Sequence, residues 1–376
     1  MNRKLKVAIM SLGETLNYGD ILFAPVLEKK IKEVYSDVEC KYFTSEDASV
    51  ENIRYYQYSE EALDDFQPNL IIACCGEFIH KHDNTLWRKV WERSFGRNWI
   101  QKPSNTFFGW LDRTDAYKAW FGVGILDGSD KSEYATEVEV AKLNHCSTRG
   151  IISKKILERN RLIYYNPQIS ITPDIGWSFP EYFGDYLKTI EEINCRKKTQ
   201  LKENSYICFS INYFFVDSSE GDVDYINNTL QDFKRRTGLE IVLLSQQSNH
   251  QDIPYLGEGY LYFDDLTLQE KGALLCGCKF YIGYGLHFAI TAMANGKPAS
   301  VIHHRQQTKF QDLFGHMMRT DWVSSNWNDL PKLLDKHNNF SEEDKDILLT
   351  YVSFMRKMFV SKLKLIIGNC IASQIK

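Results

Sequence analysis

Residues 281–298, YIGYGLHFAITAMANGKP, constrain the fold more than any other stretch of this chain. The short apolar run from Lys279 to Ile282 reads as a buried strand, and Gly283-Tyr284-Gly285 as the turn after it. Phe288, Ala289, Ala292 and Met293 then recur at helical spacing, and Gly296 with Pro298 ends the helix. A strand, a glycine turn and a helix head aim free backbone N–H groups and the positive end of a helix dipole at one place. His287 stands at that head, so a side chain that titrates near neutrality meets an anion-friendly position.

The same grammar opens the chain. Lys6–Met10 reads as a strand, Ser11–Asp20 (SLGETLNYGD) as a polar turn, and Ile21–Val34 as a helix with Leu22, Val26, Leu27, Ile31 and Val34 on its apolar face. Asn17, Tyr18, Gly19 and Asp20 fall at its head. Two such units, one in each half, predict an α/β chain of two nucleotide-fold-like domains facing a cleft.

Further strands are expected at Glu39–Phe43, Leu70–Cys74, Ala119–Val123 and His145–Arg149, with helices over 60–66 and 151–160. This sets a first domain at 1–180. The charged stretch 181–204 reads as a linker, and 205–335 as a second domain. Residues 341–376 hold a long helix expected to brace the first domain. Residues 84–121 break the pattern, because Trp87, Trp91, Trp99, Trp110 and Trp120 interleave there with arginines and lysines. That insertion reads as indoles packed on the domain, as an acceptor-binding surface, or as a peripheral contact with the inner face of a membrane.

Composition narrows the function. A net charge of −4 over 376 residues argues against general nucleic-acid binding. Nine scattered cysteines without framework spacing suit a reducing cytoplasm, where the protein is expected. Cys276-Gly277-Cys278 is too tight for a zinc pair, the adjacent His303 and His304 point to opposite faces of a strand, and no metal is expected. No stretch approaches the roughly 20 apolar residues of a membrane span.

Several segments resemble the polysaccharide pyruvyl transferase family: NYGDILFAPVLEKKI at 17–31, PNLIIACCGEFI at 68–79, STRGIISKKIL at 147–157, TPDIGW at 172–177 and the 281–298 stretch. The resemblance implies a GT-B-like fold of two Rossmann-like domains with parallel sheets, the first on the acceptor side and the second on the donor side. It implies transfer of a pyruvyl group from phosphoenolpyruvate, a co-substrate rather than a cofactor, to two hydroxyls of a sugar, forming a cyclic ketal. The acceptor would belong to a surface polysaccharide precursor, lipid- or nucleotide-linked. Gly285 stands where the family carries an arginine, and Arg149-Gly150 where it carries an arginine–aspartate pair.

Such chemistry needs a proton delivered to the methylene carbon and a sugar hydroxyl deprotonated as it attacks. General acid–base help there is worth roughly 100- to 10,000-fold. His287 and Asp20 are the catalytic candidates, against readings of both as helix caps. Asn17, Tyr18, Gly19, Gly76, Gly283 and Gly285 are expected to shape the substrate site, with Arg149, Arg305 and Lys309 binding anionic groups. Asp174, at a position that matches the family near the domain junction, reads as holding the interdomain geometry or touching the donor, with the structural role preferred. Two other functions stay open: group transfer from a nucleotide-activated sugar, and a non-catalytic subunit of polysaccharide assembly.

Overall fold

Strands and helices alternate along the chain and gather into two sheets. The computed structural model describes residues 4–44, 46–76, 114–124, 143–159, 168–211, 220–246, 256, 258–303 and 308–374. Trp87, Trp91, Trp99 and Trp110 of the tryptophan-rich stretch, and Arg305, lie outside the described residues.

The first sheet has eight strands: β1 (Leu5–Met10), β2 (Val38–Thr44), β3 (Ala48–Val50), β4 (Ile53–Gln57), β5 (Leu70–Cys74), β6 (Tyr117–Val123), β7 (His145–Thr148) and β8 (Ser170–Ile171). Their order is β3-β4-β2-β1-β5-β6-β7-β8, parallel throughout except for the β3–β4 hairpin. The second sheet is parallel, in the order β11-β10-β9-β12-β13-β14. Its strands are β9 (Tyr206–Ser210), β10 (Glu240–Leu243), β11 (Leu261–Tyr262), β12 (Tyr281–Gly283), β13 (Ala299–Ile302) and β14 (Val323–Ser324). In each sheet the chain starts near the middle, builds one side and returns to build the other. The reversals fall between β1 and β5 and between β9 and β12, where open α/β sheets bind ligands beyond their strand ends.

In chain order the helices are α1 (Tyr18–Val34), α2 (Glu60–Phe66), α3 (Ile151–Arg159), α4 (Phe179–Phe183), α5 (Tyr186–Lys197) and α6 (Glu220–Thr237). After them come α7 (Leu268–Gly277), α8 (Leu286–Met293), α9 (Thr308–His316), α10 (Leu330–Asn338) and α11 (Glu342–Ser373). Strand alternation sorts the apolar side chains. Val7 and Ile9 face one side of β1 and Ala8 and Met10 the other; Tyr206 and Cys208 oppose Ile207 and Phe209 in β9. The outward faces bury separate clusters. The inward faces share one core, in which α1, α7, α8 and α11 lie between the sheets and contribute Ile21, Leu274, Phe288 and Leu363. Trp120 of β6 is packed inside the first sheet's outer cluster.

Residues 181–204 are more ordered than a linker. Ile190 and Ile193 of α5 are buried, and a Cβ on Gly277 would come within 2.4 Å of Ile190 Cδ1. Glu191, Glu192 and Lys198, which suggested a linker, are exposed on α5 and at its end. Helix α11 leaves the second sheet and crosses to the first. Phe359 meets Phe121 at 4.7 Å between ring centres, and the Cys370 thiol donates to the Asn69 carbonyl at 3.4 Å. Among the described residues, no helix is long and apolar enough to cross a membrane.

Candidate active site between the two sheets

Helix α1 begins three residues earlier than its apolar pattern suggests, because Asn17 caps it: the Asn17 side chain accepts from the Gly19 N–H at 3.1 Å. Pro25 inside the helix frees the Ile21 carbonyl, which the Tyr55 hydroxyl satisfies. Tyr18 is fully buried. Its N–H donates to the Gln246 carbonyl at 3.0 Å, its hydroxyl lies 3.2 Å from Thr291 Oγ1, and its ring meets Phe288 edge-on at 4.7 Å. Burial pushes its phenol pKa well up, and the Thr291 hydrogen bond offsets only part of that. Tyr18 therefore fastens the head of α1 to α8.

Gly19 brings the two helix heads into contact. A Cβ there would sit 2.0 Å from His287 Nδ1, so only glycine fits. The His287 ring is otherwise enclosed by Phe23, edge-on at 4.9 Å, and Phe179. Its Nε2 lies 3.8 Å from Asp174 Oδ2, which lies 3.7 Å from Arg149 Nη1. All three residues are buried, Asp174 to 4% exposure. Asp174 Oδ1 accepts from the Gly176 N–H at 2.8 Å, whereas Asp174 Oδ2 and His287 Nε2 are buried without a hydrogen bond. Burial alone would raise the Asp174 pKa. His287, the Arg149 charge and the Gly176 N–H outweigh it, and the carboxyl is held below its ordinary value.

Arg149 follows β7 and lies over Gly124, where a Cβ would come within 2.6 Å of Nη2. Arg149, Asp174, Leu286, Lys309, Asp312 and His316 line a cavity of about 40 Å³. That is room for about one water. Lys309 reaches this cavity from α9. The other glycines serve the backbone. Gly76 (φ +69°) accepts from the Gly124 N–H at 2.7 Å, and Gly285 donates its N–H to the Tyr281 hydroxyl at 2.9 Å. Gly283 has no room for a Cβ, which would lie 2.3 Å from Ser210 Oγ.

Asp20 accepts from the Thr15 hydroxyl at 2.8 Å, and the carboxylate set beside His287 is Asp174. Sequence reasoning preferred a structural role for Asp174. Its only local signal is an aspartate two residues before a glycine, the pattern of a side chain that caps its own turn. Nothing in the spacing connects it with His287.

Among curated proteins, none is significantly similar in sequence. Solved structures share the architecture at low identity, which shows the fold alone. A UDP-GlcNAc 2-epimerase from Neisseria meningitidis bound to UDP-GlcNAc superposes with a TM-score of 0.60 at 10% identity, covering 98% of this chain and 100% of that one. The UDP-GlcNAc 2-epimerase of Methanocaldococcus jannaschii gives 0.59 at 8% identity, over 94% and 100%. An alpha-glucosyltransferase in complex with UDP and DNA gives 0.52 at 9% identity, over 97% and 100%. The fold is thus GT-B-like, with two Rossmann-like halves. A family model for polysaccharide pyruvyl transferase matches residues 17–304, which takes in the head of α1, Arg149, Asp174 and His287. The chain is a transferase belonging to the polysaccharide pyruvyl transferase family.

Proposed function

We propose that this transferase moves a pyruvyl group from phosphoenolpyruvate to two hydroxyls of a sugar in a surface polysaccharide precursor, in the cytoplasm, and forms a cyclic ketal. The observation that carries this reading is the buried line Arg149, Asp174, His287 at the facing heads of α1 and α8. Arg149, with Lys309 beside it, offers fixed positive charge to the donor's carboxylate and phosphate. His287 gives a proton from Nε2 to the donor's methylene carbon, and positive charge develops on the neighbouring carbon. A sugar hydroxyl attacks that carbon and passes its proton to the now neutral imidazole. A second hydroxyl then attacks the same carbon and closes the ring, and phosphate departs with that hydroxyl's proton as hydrogen phosphate. The Asp174 carboxylate, kept ionised, balances the imidazolium charge.

The test is phosphate release from phosphoenolpyruvate in the presence of acceptor. His287→Ala should lower it at least about 100-fold in a folded protein. Retention of most activity would overturn the mechanism. A second reading, transfer from a nucleotide-activated sugar, draws on Gly285 standing where the family has arginine. Titration with phosphoenolpyruvate and with uridine diphosphate sugars in parallel separates the two.

A further inference from the structure

Helix α3 carries no cap of its own. The residue before it is Gly150, and its first three N–H groups all donate to side chains of α9, which belongs to the other sheet. Ile151 donates to His316 Nε2 at 3.2 Å, Ile152 to Asp312 Oδ1 at 2.7 Å, and Ser153 to Asp312 Oδ2 at 3.1 Å. The Ser153 hydroxyl adds a bond to Asp312 Oδ2 at 2.6 Å. Asp312 is 1% exposed. A Cβ on residue 150 would lie 2.1 Å from Asp312 Cγ, so the carboxylate fills the space that a side chain at 150 would take. Helices ordinarily draw this cap from the residue that precedes them. Here the capping carboxylate arrives from across the cleft. Parting the sheets removes all three acceptors at once, at the end of α3 that Arg149 leads into.

We propose that Asp312 is a positioning residue: it caps α3 only when the sheets are together, and thereby makes the placement of Arg149 conditional on closure. This rests on the reading that Arg149 holds the anionic donor. Donor binding and closure then favour one another, because the capped helix presents the arginine and the bound anion holds the sheets together.

The test uses the full chain as wild type, Asp312→Ala, Asp312→Asn, and the exchange Gly150→Asp with Asp312→Ala, which returns the cap to its own helix. Hydrogen exchange at residues 151–153 without ligand reads the cap. Asp312→Ala should speed it about tenfold, the scale of a lost cap, Asp312→Asn less, and the exchange variant should restore protection. Calorimetric titration with phosphoenolpyruvate reads Arg149. The dissociation constant should rise about tenfold in Asp312→Ala and recover in the exchange variant, with KM moving more than kcat. Unchanged hydrogen exchange in Asp312→Ala overturns the proposal whatever the donor does. Faster exchange with unchanged phosphoenolpyruvate affinity leaves the cap and overturns its coupling to Arg149. If wild type binds no phosphoenolpyruvate, the donor assignment fails separately and inorganic phosphate becomes the probe. A phosphate affinity about tenfold weaker in Asp312→Ala then supports the proposal, and equal or absent phosphate binding overturns it.

Discussion

At the scale of single residues, close approach decides more than chemistry does. Gly19→Ala puts a methyl group into the His287 ring, so the helix heads must separate or the imidazole must turn. It should cost about 1–3 kcal/mol and lower turnover together, read by urea denaturation and phosphate release. Cys75 offers a second comparison. It adopts φ +55°, unusual for a residue with a Cβ, while its Sγ accepts the buried Ile175 N–H at 3.3 Å beside Asp174. Cys75→Ala keeps the backbone strain and loses the acceptor; Cys75→Gly loses the acceptor and relieves the strain. The glycine variant should be the more stable of the two by about 1 kcal/mol. His287 and Arg149 were legible as candidates because a histidine at a helix head and an arginine between a strand and a helix suggest anion chemistry, and Lys309 as a cation after the next strand that could turn toward the same cleft. Asp174 and Asp312 were not. Their roles depend on contacts with Arg149, His287 and Ser153 across long sequence separations, which no local spacing encodes.

At the scale of elements, the apolar run Leu70–Cys74 and the short helix over 60–66 were legible to the residue. Short edge pieces were missed. The β3–β4 hairpin turns at Glu51 with φ +53°, a conformation its sequence does not announce, and β8 spans only Ser170–Ile171. Helix α5 was hidden by the charges on its solvent side. Helix α11 carries a prediction of its own. Arg356 donates to the Trp177 carbonyl at 2.6 Å and the Ala294 carbonyl at 2.9 Å, and pairs with Glu181 at 3.2 Å. It thus joins the end of the Asp174 turn to the end of the His287 helix. Arg356→Ala should cost roughly 2 kcal/mol, and lysine should recover only part of it, because one ammonium cannot span both carbonyls. Equal stability of Arg356→Ala and wild type in urea would count against this tie.

At the scale of the whole molecule, acid should act through buried histidines before it reaches Asp174. Burial, then the Lys336 charge, pushes the His337 pKa down to about 3, and burial, then Lys362, pushes His145 to about 4. The unfolded imidazoles keep the ordinary value of 6.5 and take up protons first. Their share of stability is therefore complete above pH 6.5 and falls as pH drops toward about 3, on the order of a few kcal/mol in all. Asp174 behaves differently. Its pKa lies below the ordinary 3.8, so its share persists above that value and is lost only below it. Urea midpoints should decline steadily from pH 7 to pH 4.5, less steeply in His337→Gln. A midpoint flat over that range would contradict the assignment.

Helix α11 also sets a timetable for the chain as it is made. Leu363, Ile366, Ile367 and Cys370 close the inner core near β1, β5 and β6, strands translated far earlier. Until those residues leave the ribosome, the first sheet has one face without the cover they give, while the second sheet already has all of its described strands. The half of the molecule synthesised first is thus the half completed last.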